Sequence, residues 1–357
     1  MRLSRLGLVL LAACGVERSG DGTTGEADRI FTPSQYSVAD FYENRQFSGA
    51  SFSPDRQKIL VGSNSSGIWN AYAVPVAGGE PEALTSSTTN SIFPISYFPD
   101  DERFLYSSDE GGNELTHIYV RNPDGTAKDI TPGTKHVAAF LGWAADDKSF
   151  FITTNERDQR FFDVYEVKTD GLARSLVYRN TDGLNIGVLS GDGRYLALVK
   201  TNTTADADIF LHDRQTNSTS NITKHTGAIN NLPVDFSPDG TKLLFVSDSG
   251  REYASLRSYN LADGTRASVY EQNWDISNAG YSKSGKYLLV GVNEDSKSAT
   301  RVLDAQTMQP VAMPGMPTGF VRGVTVSPDD SLVAFYASDG SVRQNCMLPP
   351  LVRHRVD

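Results

Sequence analysis

Seven polar side chains recur at one place in a repeated turn: Asp55, Asp100, Asp146, Asp192, Asp239, Ser284 and Asp329. A ring of carboxylates could hold a cation, but one position is Ser and each would stand on a separate unit. The structural reading is stronger, since Asp in a tight turn bonds backbone N–H groups. The five histidines, His117, His136, His212, His225 and His354, show no H-E-x-x-H or H-x-H spacing, so no metal site is expected. No serine occupies a G-x-S-x-G elbow, and no P-loop or G-x-G-x-x-G stretch follows a strand. A catalytic triad therefore cannot be assembled from this sequence, and neither catalytic residues nor a cofactor are expected.

The turns matter more for what they position. They read FSPD at 52–55, FPDD at 98–101, WAADD at 143–147, LSGDG at 189–193, FSPDG at 236–240, YSKSG at 281–285 and VSPDD at 326–330. Their spacing stays between 45 and 47 residues, the mark of a repeat architecture. An apolar run follows each turn: KILVGS, RFLYSS, SFFITT, RYLALV, KLLFVS, KYLLVG and SLVAFY. A second hairpin follows in each unit, as in THIYVRN before Pro123-Asp124-Gly125 and FDVYEVK before Thr169-Asp170-Gly171. Four short strands per unit predict an all-β fold, a β-propeller of four-stranded antiparallel blades. About seven blades are expected, the last one incomplete. The third-strand positions of His117 and His212 favour a packing role over ligation.

The 357-residue chain carries a formal charge of −10 and no basic run, which argues against nucleic acid as a partner. No stretch reaches the roughly 18 apolar residues of a membrane-spanning helix. The start, MRLSRLGLVLLAACG, has Arg2 and Arg5, an apolar middle and small residues, as an export signal does. Leu11-Ala12-Ala13-Cys14 resembles the lipobox of bacterial lipoproteins. That resemblance implies cleavage after residue 13, a lipid on Cys14, and a place on the periplasmic side of the bacterial envelope; Gly15 after the cysteine favours the outer membrane. The membrane is then met only through the anchor. Residues 14–35 read as the lipidated Cys and a flexible tether. Cys346 is the only other cysteine, so no disulfide framework is expected.

The blade unit resembles the WD-like repeat shared by TolB-type periplasmic propellers and the propeller of the prolyl oligopeptidase family. Two stretches favour the peptidase family. YSVADFYENRQFSGASFSPD, 36–55, resembles the opening segment of its dipeptidyl-peptidase-IV-like and acylaminoacyl-peptidase-like members. SSDEGGNELTHIYVRNPDGTAKDIT, 107–131, resembles their second blade. The likeness covers about 36–342 and implies a propeller that caps an α/β-hydrolase domain and filters substrates by size. Members that trim dipeptides hold the substrate amine with Glu residues from the propeller. Asp109, Glu110 and Glu114 are the carboxylates that could do so here, although they do not match the double-Glu helix of those enzymes. The partners implied are a peptide or an envelope protein, met through the channel or the loop faces.

The catalytic domain of that family carries its Ser in a G-x-S-x-G elbow, which this chain lacks. The chain by itself is therefore expected not to hydrolyse peptides. After residue 342 the repeat gives way to RQNCMLPPLVRHRVD, whose paired prolines suit no strand, so 343–357 reads as an irregular tail. The unfinished seventh unit fits a peptidase cut short. The alternative is a stand-alone TolB-like binding or scaffold lipoprotein.

Overall fold

The computed structural model describes residues 37–38, 46–313, 320–338 and 354–355. The chain divides into two units, Met1–Glu43 and Asn44–Asp357. The signal segment, Cys14, the tether and most of the tail, Cys346 included, lie outside the described residues.

The second unit is a ring of seven antiparallel sheets in which strand order follows chain order. Five sheets have four strands. The first is Phe47–Phe52, Lys58–Ser63, Asn70–Pro75 and Glu82–Ala83. In the sixth blade three strands, Asp275–Tyr281, Tyr287–Glu294 and Lys297–Asp304, are followed by a bridge from Leu303 to Pro310 in place of a fourth. The seventh has Phe320–Val326 and Leu332–Ser338. Within the segment expected to be irregular, His354–Arg355 pairs with Leu332 and Val333 as a short third strand.

The repeated turn owes its shape to a small hydrogen-bond network. In the fifth blade the Ser237 hydroxyl donates to Asp239 Oδ1 at 2.5 Å and accepts the Lys242 N–H at 2.9 Å. Asp239 also accepts the Thr241 N–H at 3.0 Å, and the Gly240 N–H closes the turn on Ser237 O at 2.8 Å. Ser53–Asp55, Ser190–Asp192 and Ser327–Asp329 repeat the side-chain bond, and Ser284 substitutes its own hydroxyl beside Ser282. In the second turn the Arg103 N–H goes to Asp101, not to Asp100, so the capping carboxylate sits one residue later than the repeat alignment places it. The residue after the cap is left-handed, φ +60° at Asp147 and +67° at Gly240, as a type I turn with a following bulge requires.

Why sheets of this kind must associate follows from burial. Both faces of the second strands are apolar, so each blade needs a neighbour on either side. Between blades two and three, Phe98, Leu105 and Ile118 pack on Phe150 and Ile152. Phe98, Trp143 and Phe150 meet edge-on there, with centroids 5.2 to 6.0 Å apart. The ring closes where Ala334 and Leu332 of the last blade pack on Phe52, Val61 and Val74 of the first. Arg56 pairs with Asp329 across the same seam.

Every inner strand slips by one residue against its partner. The pairing shifts between Ser48 and Ser51, Pro94 and Ser96, and Pro233 and Asp235, at the equivalent place in blades three, four and seven, and nearer the strand start, between Ile276 and Asn278, in blade six. Such bulges bend and twist a strand, which suits seven strands crowded round one channel. They also turn a polar side chain toward the next blade: Ser51 Oγ accepts the Tyr97 N–H at 3.0 Å, and Asp235 accepts the Tyr281 N–H at 2.8 Å. Burial pushes the Asp235 carboxyl above the ordinary range.

Candidate interaction face

Chain direction assigns the loops to two faces. The first–second and third–fourth hairpin turns of every blade lie on one, the turn face. The second–third loops and the blade-to-blade connectors lie on the other, the connector face, and the candidate site residues are there.

In five blades the connector face is held by a polar residue at or near the start of the third strand. Asn70, His117, Asp163, Asp208 and Ser255 occupy one register position, each just before an apolar residue that pairs with the second strand. Several of them grip the chain beyond their own blade. Asn70 bonds both the N–H and the C=O of Ser87, at 2.8 and 2.9 Å. Asp163, fully buried, accepts the Asn180 N–H at 2.8 Å and a two-pronged bond from Arg157 at 2.6 and 2.8 Å. His117 meets Asp129 at 2.8 Å and stacks on His136 at 5.0 Å. His225 faces Thr223 O at 2.9 Å and Asp206 at 3.1 Å, and these acceptors favour its protonated ring, so its pKa rises. His117 and His212 are both buried in third strands, as their place in the repeat implies. The repeat signal for the gripping residues was present in WNAYAV, THIYV, FDVYEV and DIFLH, but four different side-chain types disguise one role.

Asp109, Glu110 and Glu114 lie in the second–third loop of blade two. Asp109 is half-buried, and its carboxylate accepts the Glu114 N–H at 2.9 Å. It is therefore engaged in shaping the loop, along with Gly111 and Gly112 at φ +62° and +78°. Glu110 and Glu114 are exposed. The structure thus brings the three onto one loop but gives them different work. Among the described residues no three His, Cys, Asp or Glu gather as a metal site.

Sequence reasoning missed the apolar residues of this face. Phe93 and Leu232, near the starts of inner strands, and Trp274, just before one, are 39%, 39% and 37% exposed. They stand at or just before the starts of the inner strands, on the connector face. Trp69 lies 5.6 Å from Phe93, and Tyr253 lies 6.3 Å from Trp274, two contacts of a similar kind between a second–third loop and the start of the next blade. Between blades three and four a cleft of about 290 Å³ is lined by Thr153, Arg160, Asn180, Gly183 and Asn185. Aromatic rims beside exposed carboxylates can hold apolar side chains and a cationic group of one extended ligand.

Comparison with known proteins agrees with this architecture. The family described as prolyl oligopeptidase, N-terminal beta-propeller domain, matches residues 81–267. Dipeptidyl aminopeptidase BIII of Pseudoxanthomonas mexicana is 26% identical over 253 residues, 69% of this chain and 36% of that enzyme. The chain thus spans about a third of the length of this curated relative. A solved prolyl endopeptidase superposes with a TM-score of 0.61 at 13% identity, covering 83% of this chain and 47% of that one. TolB from Acinetobacter baumannii does so at 0.50 and 14%, covering 88% and 81%. The likeness to these two structures is one of fold. With more than half of its length matched by the family, the chain belongs to the prolyl oligopeptidase family through its N-terminal β-propeller domain.

Proposed function

We propose that this propeller handles peptides for a prolyl-oligopeptidase-type serine peptidase, admitting extended chains and presenting them to an α/β-hydrolase domain. Family membership together with the exposed Phe93, Leu232 and Trp274 on the connector face carries the reading. Hydrolase domain and peptide both meet the connector face in this scheme, and Glu110 and Glu114 offer charge to a substrate amine. The chemistry itself needs a nucleophile elbow, and none stands in this sequence. A lipid on Cys14 would hold the protein at the periplasmic face of the bacterial envelope, on the outer membrane.

One preparation tests both parts. Expressed in a Gram-negative host, the chain should take up labelled palmitate, and Cys14→Ser should not. Purified, it should neither cleave dipeptidyl-amide substrates nor react with a fluorophosphonate. A peptidase rate abolished by fluorophosphonate, or palmitate uptake by the Cys14→Ser chain, would overturn the corresponding part.

A further inference from the structure

The turn face holds a contact that the repeat does not explain. Lys283 Nζ lies 2.6 Å from both carboxylate oxygens of Asp147. Lys283 belongs to the first–second turn of blade six and Asp147 to that of blade three. In a closed ring of seven, these blades face each other across the channel. First–second turns cap the innermost strands, so this ion pair crosses the turn-face mouth rather than running round the rim.

Lys283 departs from the repeat. Lys283 stands where four other turns carry Pro54, Pro99, Pro238 and Pro328. Asp147 stands in the left-handed position that Gly193, Gly240 and Gly285 fill in three blades and Arg56 and Asp330 in two others, and it holds φ +60°. A carboxylate is tolerated there, but glycine costs less. A flexible cation in place of a stiff proline meets this carboxylate, which gives the departure at Lys283 an explanation. The flanking turns are tied as well. Ala145 N–H donates to Gly191 O at 2.8 Å, linking blades three and four. Ser284 Oγ donates to Asp330 at 2.9 Å, linking six and seven, and Arg56 reaches Asp329 between seven and one.

We propose that Lys283 and Asp147 form a bolt across the turn-face mouth of the channel. While it stands, an extended chain cannot thread through that end, and the connector face is the open one. The pair is partly exposed, 44% at Lys283 and 24% at Asp147, so salt weakens it and the bolt can be drawn. The proposal rests on the ring geometry and stands whether or not the ligand is a peptide.

A zero-length carbodiimide applied to the purified full chain tests it. The expected product is an amide between Lys283 Nζ and Asp147, identified by peptide mapping, abundant at low salt and diminished at high salt. Amide exchange supplies a second readout that does not depend on coupling chemistry. Lys283→Met, on blade six, should speed exchange at Asp147 and Lys148 on blade three by about two- to fivefold, the factor an exposed ion pair supplies. The double exchange Lys283→Asp with Asp147→Lys should restore protection. A Lys283 amide found only with carboxylates of adjacent blades, or unchanged blade-three exchange in Lys283→Met, would overturn the bolt.

Discussion

At the scale of residues, the repeated turn shows a carboxylate whose work is structural. The hydroxyls of Ser53 and Ser237 hold Asp55 and Asp239 below the usual carboxylate range, and Ser327 brings Asp329 down to about 2. A carboxyl whose pKa is depressed by folding stabilises the folded state above its unfolded pKa of about 4. That contribution disappears as pH falls through the folded value. Thermal midpoints should therefore drop between about pH 4 and about pH 2. Asp329→Asn should lower the midpoint at neutral pH and flatten that acid limb, and an unchanged limb would show that the turn carboxylate is not its source. The sequence made the role of these residues readable because turn chemistry is local. It misplaced the second cap by one residue, since FPDD offers two adjacent Asp and only the geometry of the Arg103 N–H chooses between them. Asp109 was ambiguous for the same reason. Its bond to the Glu114 N–H depends on two glycines in left-handed conformations, which a list of charges does not reveal.

At the scale of elements, strands and turns were legible because alternation and spacing repeat seven times, whereas the bulges were not. One extra residue in each inner strand leaves the period of the whole unit unchanged, so it is invisible to spacing. It nevertheless decides which inner-strand side chains reach the next blade. The replacement of the sixth blade's outer strand by a single bridge was hidden for a related reason: an outer strand buries little, and its sequence is weakly constrained. Second strands are the opposite case, with Phe150, Ile152, Leu196 and Leu198 fully enclosed. Phe150 packs in the cluster between blades two and three beside Phe98 and Trp143. Phe150→Ala should cost about 3–5 kcal/mol, the range for removing a buried aromatic ring. Urea denaturation checks this, as a lower midpoint at unchanged slope. A loss below about 1 kcal/mol would mean that the interface relaxes around the gap instead of depending on the ring.

At the scale of the whole molecule, seven sheets packed face to face leave two unlike ends. The turn face is tied by short polar contacts between neighbouring and opposite blades. The connector face carries buried grips beneath it and exposed aromatic residues upon it. The same asymmetry serves a peptidase propeller and a stand-alone binding module. What distinguishes the peptide-handling reading is selectivity for an extended chain over a folded one. The direct measurement is fluorescence anisotropy of a labelled, unstructured peptide with a free N-terminus, titrated with the purified full chain. A folded protein of similar composition serves as competitor. Saturable binding that the folded competitor leaves intact is expected. Combined Phe93→Ala and Trp274→Ala should weaken it about tenfold or more, as loss of aromatic anchors does. Asp124→Ala, on the turn face, should leave it unchanged. Binding absent altogether, or lost in Asp124→Ala while the aromatic variant binds normally, would contradict a peptide-handling connector face.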